Sequence, residues 1–280
     1  MNISSLNLQF IQRLPGRIPY KVPAGLFIVC TALLIISINV GFMVNARYFY
    51  EYGFEKHHVT DVTGIEKAEL GNAAQELIDY FSNNKSSPQI QVVKNGQEID
   101  LFTERELTHL EDVKALIQFF YLILWITLGY AGLYIIAGFL TRKRAFLGQL
   151  MQGLLGGAIL TLIIIAVVGI WAIIDFDSLF LRFHLASFTN DLWQLDPSRH
   201  YLIMMFPEEF FSDAAMLLTA DIAVMSVILG VPAWFYLHRT RLPQLHEEQL
   251  PDEQPAQGLP PPIGTDTPPA PLEKEANDET

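Results

Sequence analysis

Histidine is the side chain that exchanges its proton near neutral pH, and two of the seven in this chain stand where an imidazole could work at a hydrocarbon boundary. His109 lies in Thr103-Glu104-Arg105-Glu106-Leu107-Thr108-His109-Leu110-Glu111-Asp112-Val113-Lys114. It precedes Asp112 by one helical turn, so an i,i+3 contact is within reach. A carboxylate there would fix the imidazole tautomer and raise its basicity. His184 closes the run Leu179-Phe180-Leu181-Arg182-Phe183-His184. Two imidazoles facing one interfacial layer from different helices suit acid–base work on a lipid-bound substrate. The plainer reading is that each anchors its helix at headgroup level. The other five are expected to be solvated: His57 and His58 side by side in a polar stretch, His200 in a loop, and His238 and His246 at the far flank.

After His184 the chain interleaves polar groups with aromatics: Phe188, Asn190, Asp191, Trp193, Asp196-Pro197, then Phe206-Pro207-Glu208-Glu209-Phe210-Phe211. Trp193 and the phenylalanines fit an aromatic belt at a membrane interface, and Pro207 with two acids suits the first turn of a helix. Taken together they look like the lining of a pocket. Asp221 sits inside an apolar stretch, which makes it a functional candidate by default. Cys30 has no cationic neighbour in sequence to activate a thiolate, so it reads as a packing residue. As the only cysteine it excludes an internal disulfide and a cysteine-based zinc site. Glycine-rich phosphate loops, a Gly-x-Ser-x-Gly elbow and a His-Glu-x-x-His helix are all missing from the sequence.

The elements that must carry these residues follow from where charge is absent. No Asp, Glu, Lys or Arg occurs in residues 22–46, 115–141 or 145–174, and a fourth stretch, about 210–237, holds only Asp213 and Asp221. Each exceeds the roughly 20 apolar residues that cross a bilayer as a helix. The fold expected is an all-α membrane protein of four transmembrane helices, with a structured outer segment between the first and second. The first run is too long for a cleaved signal peptide and is expected to be retained. Bases cluster at Arg13, Arg17 and Lys21, at Arg142, Lys143 and Arg144, and at His238, Arg239 and Arg241. All three clusters fall on one side of a four-span chain, which the positive-inside rule makes cytoplasmic. Both termini are then cytoplasmic, with residues 47–114 and 175–212 outside. The organisation expected is a cytoplasmic N-terminus (1–23), a transmembrane domain (24–240) and a tail (241–280).

The composition agrees: 51% of the 280 residues are hydrophobic and only 17% charged, against about a quarter charged in a soluble domain. A net charge of −12 argues against a nucleic-acid partner. From Arg241 the tail holds nine acids against two bases and nine of the sixteen prolines, a composition too polar to repay chain entropy by burial, so disorder is expected there. In the long outer segment, residues 61–81 show helical spacing at Leu70, Ala73, Ala74, Leu77, Ile78 and Phe81. Ser82 to Pro88 reads as a loop. Residues 89–93 and 97–101 read as a hairpin around Asn95-Gly96. Thr103 and Glu106 have the spacing of a capping box opening the helix of His109. Gly153, Gly156 and Gly157 suit close helix packing in the third span.

The segment Thr103 to Lys114 resembles the Arg-Glu-Ile-x-His-Met-x-Asp-Val signature of a bacterial membrane family that includes the lipoprotein intramolecular transacylases. Arg182-Phe183-His184, Asn190-Asp191-Leu192-Trp193, Asp196-Pro197 and Leu202 to Phe211 resemble its second signature. The likeness runs from about Lys21 to Arg239. It departs from the family's usual form in the Pro-rich tail and a longer outer segment. The resemblance implies an enzyme of the bacterial cytoplasmic membrane that moves the sn-2 acyl chain of a lipoprotein's diacylglyceryl cysteine onto that cysteine's own α-amino group. It implies His109 and His184 as catalytic residues; beside them, the reading of the residues themselves offers Asp112, Glu106, Arg182, Asn190, Asp191, Trp193, Asp196 and Asp221 as supporting candidates. Neither cofactor nor metal is expected, and the partners implied are the diacylated lipoprotein and membrane lipid. Rival readings are a hydrolase or transferase acting on another lipid with the same histidines, a non-catalytic membrane scaffold, metal capture by the histidines and acids, and a transporter.

Overall fold

A chain segment without charges has to satisfy its own backbone polar groups if it enters hydrocarbon, and a helix does so internally. The computed structural model describes residues 21–248, with side-chain environments described to residue 240. Three stretches are long and apolar enough to cross a membrane: Lys21–Asn45, Glu104–Ile174 and Glu208–Thr240. The first is α1 (Lys21–Asn45). The second comprises α5 (Glu104–Arg142), a 3-10 turn (Lys143–Ala145) and α6 (Phe146–Ile174). Tyr134 and Gln149 would stand about 22 Å apart along a straight helix. Here Gln149 donates to the Tyr134 hydroxyl at 3.0 Å, and the Phe139 and Phe146 rings lie 5.2 Å apart. The chain therefore doubles back at Lys143, whose φ of 52° supplies the reversal, and the middle stretch is a helical hairpin.

The last long helix, α9 (Glu208–Glu248), begins directly after Pro207. Its backbone stays helical eight residues past the expected boundary at 240, through a segment rich in good helix formers such as Leu245, Glu247 and Glu248. Arg13, Arg17 and the acidic Pro-rich tail from residue 249 lie outside the described residues. The chain divides into two units, Met1–Arg239 and Thr240–Thr280. Of the second, only the helical backbone as far as Glu248 is described.

Between α1 and α5 lie α2 (Arg47–Lys56), α3 (Val59–Thr63), α4 (Lys67–Ser82), β1 (Gln91–Lys94) and β2 (Gln97–Asp100). The helix expected over 61–81 is thus broken in two. Gly64, at φ 68°, takes the left-handed conformation that ends α3, a conformation glycine adopts without a Cβ penalty. The hairpin forms as expected: β1 and β2 pair antiparallel with Lys94 opposite Gln97, and Asn95 (φ 54°) and Gly96 (φ 76°) make the turn. Between α6 and α9 come α7 (Phe176–Ser187) and α8 (Tyr201–Met205).

These shorter elements share one apolar core. Phe49, Tyr50 and Phe54 of α2 and Leu70, Ala74, Leu77 and Phe81 of α4 pack with Val92, Leu110, Leu202, Met205 and Phe210. All six residues of the expected apolar face of α4 are buried. The long helices make separate, smaller cores. Phe27 of α1 packs with Ala131 of α5 and with Phe146 and Leu150 of α6. Ile35 of α1 packs with Ile165 of α6 and Ile222 of α9. Close approach of α1 to α6 depends on Gly153, where a Cβ would run into the Phe27 ring.

Candidate active site

Two helices deliver the two histidines. The start of α5 is set by the capping box: the Thr103 backbone N–H donates to Glu106 Oε2 at 2.7 Å, and the Thr103 hydroxyl donates to the same oxygen at 2.7 Å. The other carboxylate oxygen of Glu106 accepts the Leu202 backbone N–H at 2.7 Å. Glu106 is completely buried, so one carboxylate ties the N-terminus of α5 to α8. His109 stands one turn further along α5. On the other side, Asp175 Oδ1 accepts the Ser178 backbone N–H at 3.0 Å and opens α7, two turns before His184.

The rings of His109 and His184 lie 6.4 Å apart between centroids, inclined at 32°. Both side chains are buried, at 7% and 8% exposure. Phe188 sits against each, 5.1 Å from His109 and 5.7 Å from His184. Phe180 and Trp193 cover His184 at 4.3 and 4.8 Å. His184 Nδ1 is 2.8 Å from the Phe180 carbonyl oxygen. A carbonyl only accepts, so Nδ1 carries the proton of the neutral ring and Nε2 keeps its lone pair. His109 Nδ1 is buried with no hydrogen-bond partner among the described residues. Burial above all, then the neighbouring His184 and Arg105, holds the His109 proton affinity down to about 4, against the upward pull of Asp112. Burial also lowers His184, partly offset by its bond to the Phe180 carbonyl. Both rings are therefore neutral near pH 7, the form in which one can accept a proton and the other donate a hydrogen bond.

The loop from Phe188 to His200 closes over this pair. Asn190 Nδ2 donates to Asp112 Oδ2 at 2.8 Å. The Asn190 backbone carbonyl accepts Trp193 Nε1–H at 3.0 Å, and its side-chain oxygen accepts the Leu192 N–H at 3.1 Å. Arg105, one turn before His109, donates from Nη2 to the Asp191 backbone carbonyl. Asp112 is thus engaged by Asn190, and its reach to His109 is electrostatic.

The supporting candidates divide accordingly. Glu106, Asp112, Asn190, Asp191 and Trp193 gather around the histidines. Arg182 instead stacks over the Trp171 ring, 5.9 Å from its centroid. Asp196 builds its own turn, accepting the Ser198 backbone N–H at 2.9 Å and the Ser198 hydroxyl at 2.7 Å. Asp221 is exposed, about 20 Å along α9 from Glu208, and makes no hydrogen bond or ion pair among the described residues. Phe188, read from sequence as part of a pocket lining, does cover both rings, whereas two contributors were not singled out: the Phe180 carbonyl and the Arg105 guanidinium. Helical register was the available signal, since 180, 184 and 188 share one face of α7 and its extension, and 105 and 109 share one face of α5. His57 is not simply solvated: its Nε2 lies 3.0 Å from Asp213, which also binds Lys56 at 2.7 Å and so joins α2 to α9. No group of three or more His, Cys, Asp or Glu with metal-binding geometry occurs among the described residues.

Comparison with known proteins identifies the family and the fold. Residues 25–211 match the family described as lipoprotein intramolecular transacylase Lit. An uncharacterized protein of Aquifex aeolicus (strain VF5) is 25% identical over 217 residues, covering 72% of this chain and 90% of that protein. The fold is that of the membrane-integral lipoprotein intramolecular transacylase Lit from Bacillus cereus, solved in meso. One structure of it superposes with a TM-score of 0.66 at 23% identity, covering 79% of this chain and 96% of that one. A histidine-to-arginine variant of the same protein superposes at 0.64 and 22% identity, covering 85% and 98%.

Proposed function

Because the chain belongs to the lipoprotein intramolecular transacylase family, we propose that it moves the sn-2 acyl chain of a lipoprotein's diacylglyceryl cysteine to the α-amino group of that same cysteine. The observation that carries this reading is the pair of buried, neutral histidines brought together from α5 and α7 under an aromatic cover. The α-amine has a reference pKa of about 8 and must be neutral to attack an ester. His184 Nε2, freed as an acceptor by the bond from Nδ1 to Phe180, removes the amine proton as nitrogen attacks the sn-2 carbonyl. His109 donates an N–H to the oxyanion of the tetrahedral intermediate, where a preformed donor in a dry site is worth most. The ester C–O bond then breaks, the glycerol oxygen takes the proton held by His184, and an amide and a free sn-2 hydroxyl remain. Nucleophile and ester belong to one molecule, so holding them in register supplies much of the rate. Glu106, Asp112 and Asn190 act as positioning residues.

In this reading α1, α5, α6 and α9 are four membrane spans, and the basic groups at Arg142 to Arg144 and at Arg239 mark the cytoplasmic side. The histidines and the core of α2, α4, the hairpin and α8 then face outward, where lipoproteins are anchored, and both termini are cytoplasmic. The boundary charges support this: α5 is uncharged from Ala115 to Thr141, and His109 stands just before that run.

The test is co-expression with a lipoprotein in a host that makes only diacylated forms. An internal acyl shift conserves total mass, so fragmentation of the N-terminal lipopeptide has to locate the acyl chain. Amide-linked acyl on the cysteine nitrogen is the expected product. An unshifted lipopeptide alongside well-expressed protein contradicts the lipoprotein reading, and released free fatty acid points to a hydrolase built on the same histidines.

A further inference from the structure

Lys114 is the last charged residue of α5 before its uncharged run, and it is buried, with only 7% of its surface exposed. Its ammonium donates to the Lys85 backbone carbonyl at 2.6 Å and to Asn83 Oδ1 at 3.3 Å, and it lies 4.0 Å from the centre of the Tyr80 ring. All three partners are neutral, and no carboxylate comes within ion-pair distance among the described residues. Buried charges are ordinarily paired with an opposite charge, so this cation lacks its counterion. Beside it an open surface cleft of about 380 Å³ lies between Tyr80, Asn84, Lys85 and Ser86 on one side and the Glu111-to-Gln118 stretch of α5 on the other.

The cleft wall is itself built. The Tyr80 hydroxyl donates to the Ser86 carbonyl at 3.0 Å, and Asn83 Oδ1 accepts the Lys85 backbone N–H at 2.8 Å. Together Lys114 and Tyr80 thus hold the loop after α4 in place. Ala115 and Gln118 belong to the uncharged run, whereas Glu111 and Lys114 precede it, so the cleft straddles the depth at which α5 would pass from headgroups to hydrocarbon. Glu111 is half a turn around α5 from His109, at roughly 100° per residue, which sets this cleft apart from the histidine pair. Two lysines against Glu111 leave its lining one charge positive.

We propose that this cleft binds the phosphodiester of an anionic membrane phospholipid. Lys85, Ser86 and Asn84 are placed to make the direct contacts, and Lys114, held in the wall by the Lys85 carbonyl and Asn83, contributes a fixed charge. The acyl chains of that lipid lie along α5 below Ala115. The site requires a bilayer around α5 and is independent of the reaction at His109 and His184.

Native mass spectrometry of the full chain, released from nanodiscs of mixed phosphatidylglycerol and phosphatidylcholine, tests this. Wild-type protein is expected to retain phosphatidylglycerol preferentially. Removing a lysine charge at a membrane surface lowers anionic-lipid affinity about fivefold, so Lys85→Gln and Lys114→Gln should each weaken retention by that factor. Lys85→Gln is the variant that leaves the wall's hydrogen bonds intact, and Glu111→Gln should strengthen retention, which no loss of folding can mimic. Equal retention of the two lipids, or retention unchanged in Lys85→Gln and Glu111→Gln, overturns the proposal. Displacement of phosphatidylglycerol from wild type by millimolar inorganic phosphate overturns it in favour of a free-phosphate site.

Discussion

Replacing Glu106 with alanine should loosen the frame of the site more than any other single change in α5. Its carboxylate accepts three bonds of 2.7 Å, two from Thr103 and one from the Leu202 backbone N–H. In Glu106→Ala the Leu202 N–H is left inside the protein, and an unpaired buried donor costs about 1–3 kcal/mol. Thr103 is exposed and can turn to water, so its share is the loss of a helix cap, about 0.5–2 kcal/mol. The expected loss is about 2–4 kcal/mol, which for a chain of this size lowers the melting temperature by about 5–15 °C. Glu106→Gln keeps one acceptor oxygen but turns an amide N–H₂ toward the remaining donors, so about half of that loss is expected. Cys30 makes the assay direct: it is the sole cysteine and is buried in α1, so a thiol-reactive fluorophore reports unfolding in detergent. Acyl transfer should also fall, because His109 stands three residues beyond Glu106. A Glu106→Ala protein melting within about 2 °C of wild type would refute the claim that this carboxylate joins α5 to α8.

Other expectations follow from the same geometry. Gly153→Ala pushes a methyl group into the Phe27 ring and should cost about 1–3 kcal/mol as overpacking, measured by the same thiol assay. Asn190→Ala removes the 2.8 Å bond to Asp112 and the 3.1 Å bond from the Leu192 N–H; it should slow acyl transfer about tenfold, the loss of a hydrogen bond to a charged group, and lower melting by only a few degrees, about 3–6 °C. The pH dependence has a defined sign. Burial holds His109 at about 4 against an ordinary 6.5, so the unfolded chain binds the extra proton between those values. Stability should fall as pH drops from 6.5 toward 4, and His109→Asn should flatten that slope in thermal melts recorded across the range.

Much of the frame was legible because its signals are local. The uncharged runs mark the long helices, Asn95-Gly96 makes a turn that needs two positive φ values, and Thr103 with Glu106 caps α5. The break at Gly64 was missed because the apolar spacing of α4 is persuasive enough to mask a single glycine upstream. What sequence withheld were bonds across long separations. Asp112 has His109 three residues away, yet its hydrogen bond comes from Asn190, 78 residues on. Glu106 has its cap partner beside it, and its third bond comes from Leu202. His57 looked solvated because its partner, Asp213, lies 156 residues distant. Arg182 shares a motif with His184 but leaves α7 in another direction, toward Trp171. In each case local chemistry identified a group able to act, and only tertiary packing decided what it meets.

The most direct measurement uses purified protein and a synthetic diacylglyceryl lipopeptide whose sn-2 chain alone carries a deuterium label. The account predicts that the label appears on the cysteine nitrogen in wild type without exchange into added unlabelled lipid, and that His109→Ala and His184→Ala each slow this by about a hundredfold or more while still folding by the thiol assay. Label that stays on glycerol in wild type, or moves to nitrogen as fast in both variants, would contradict it.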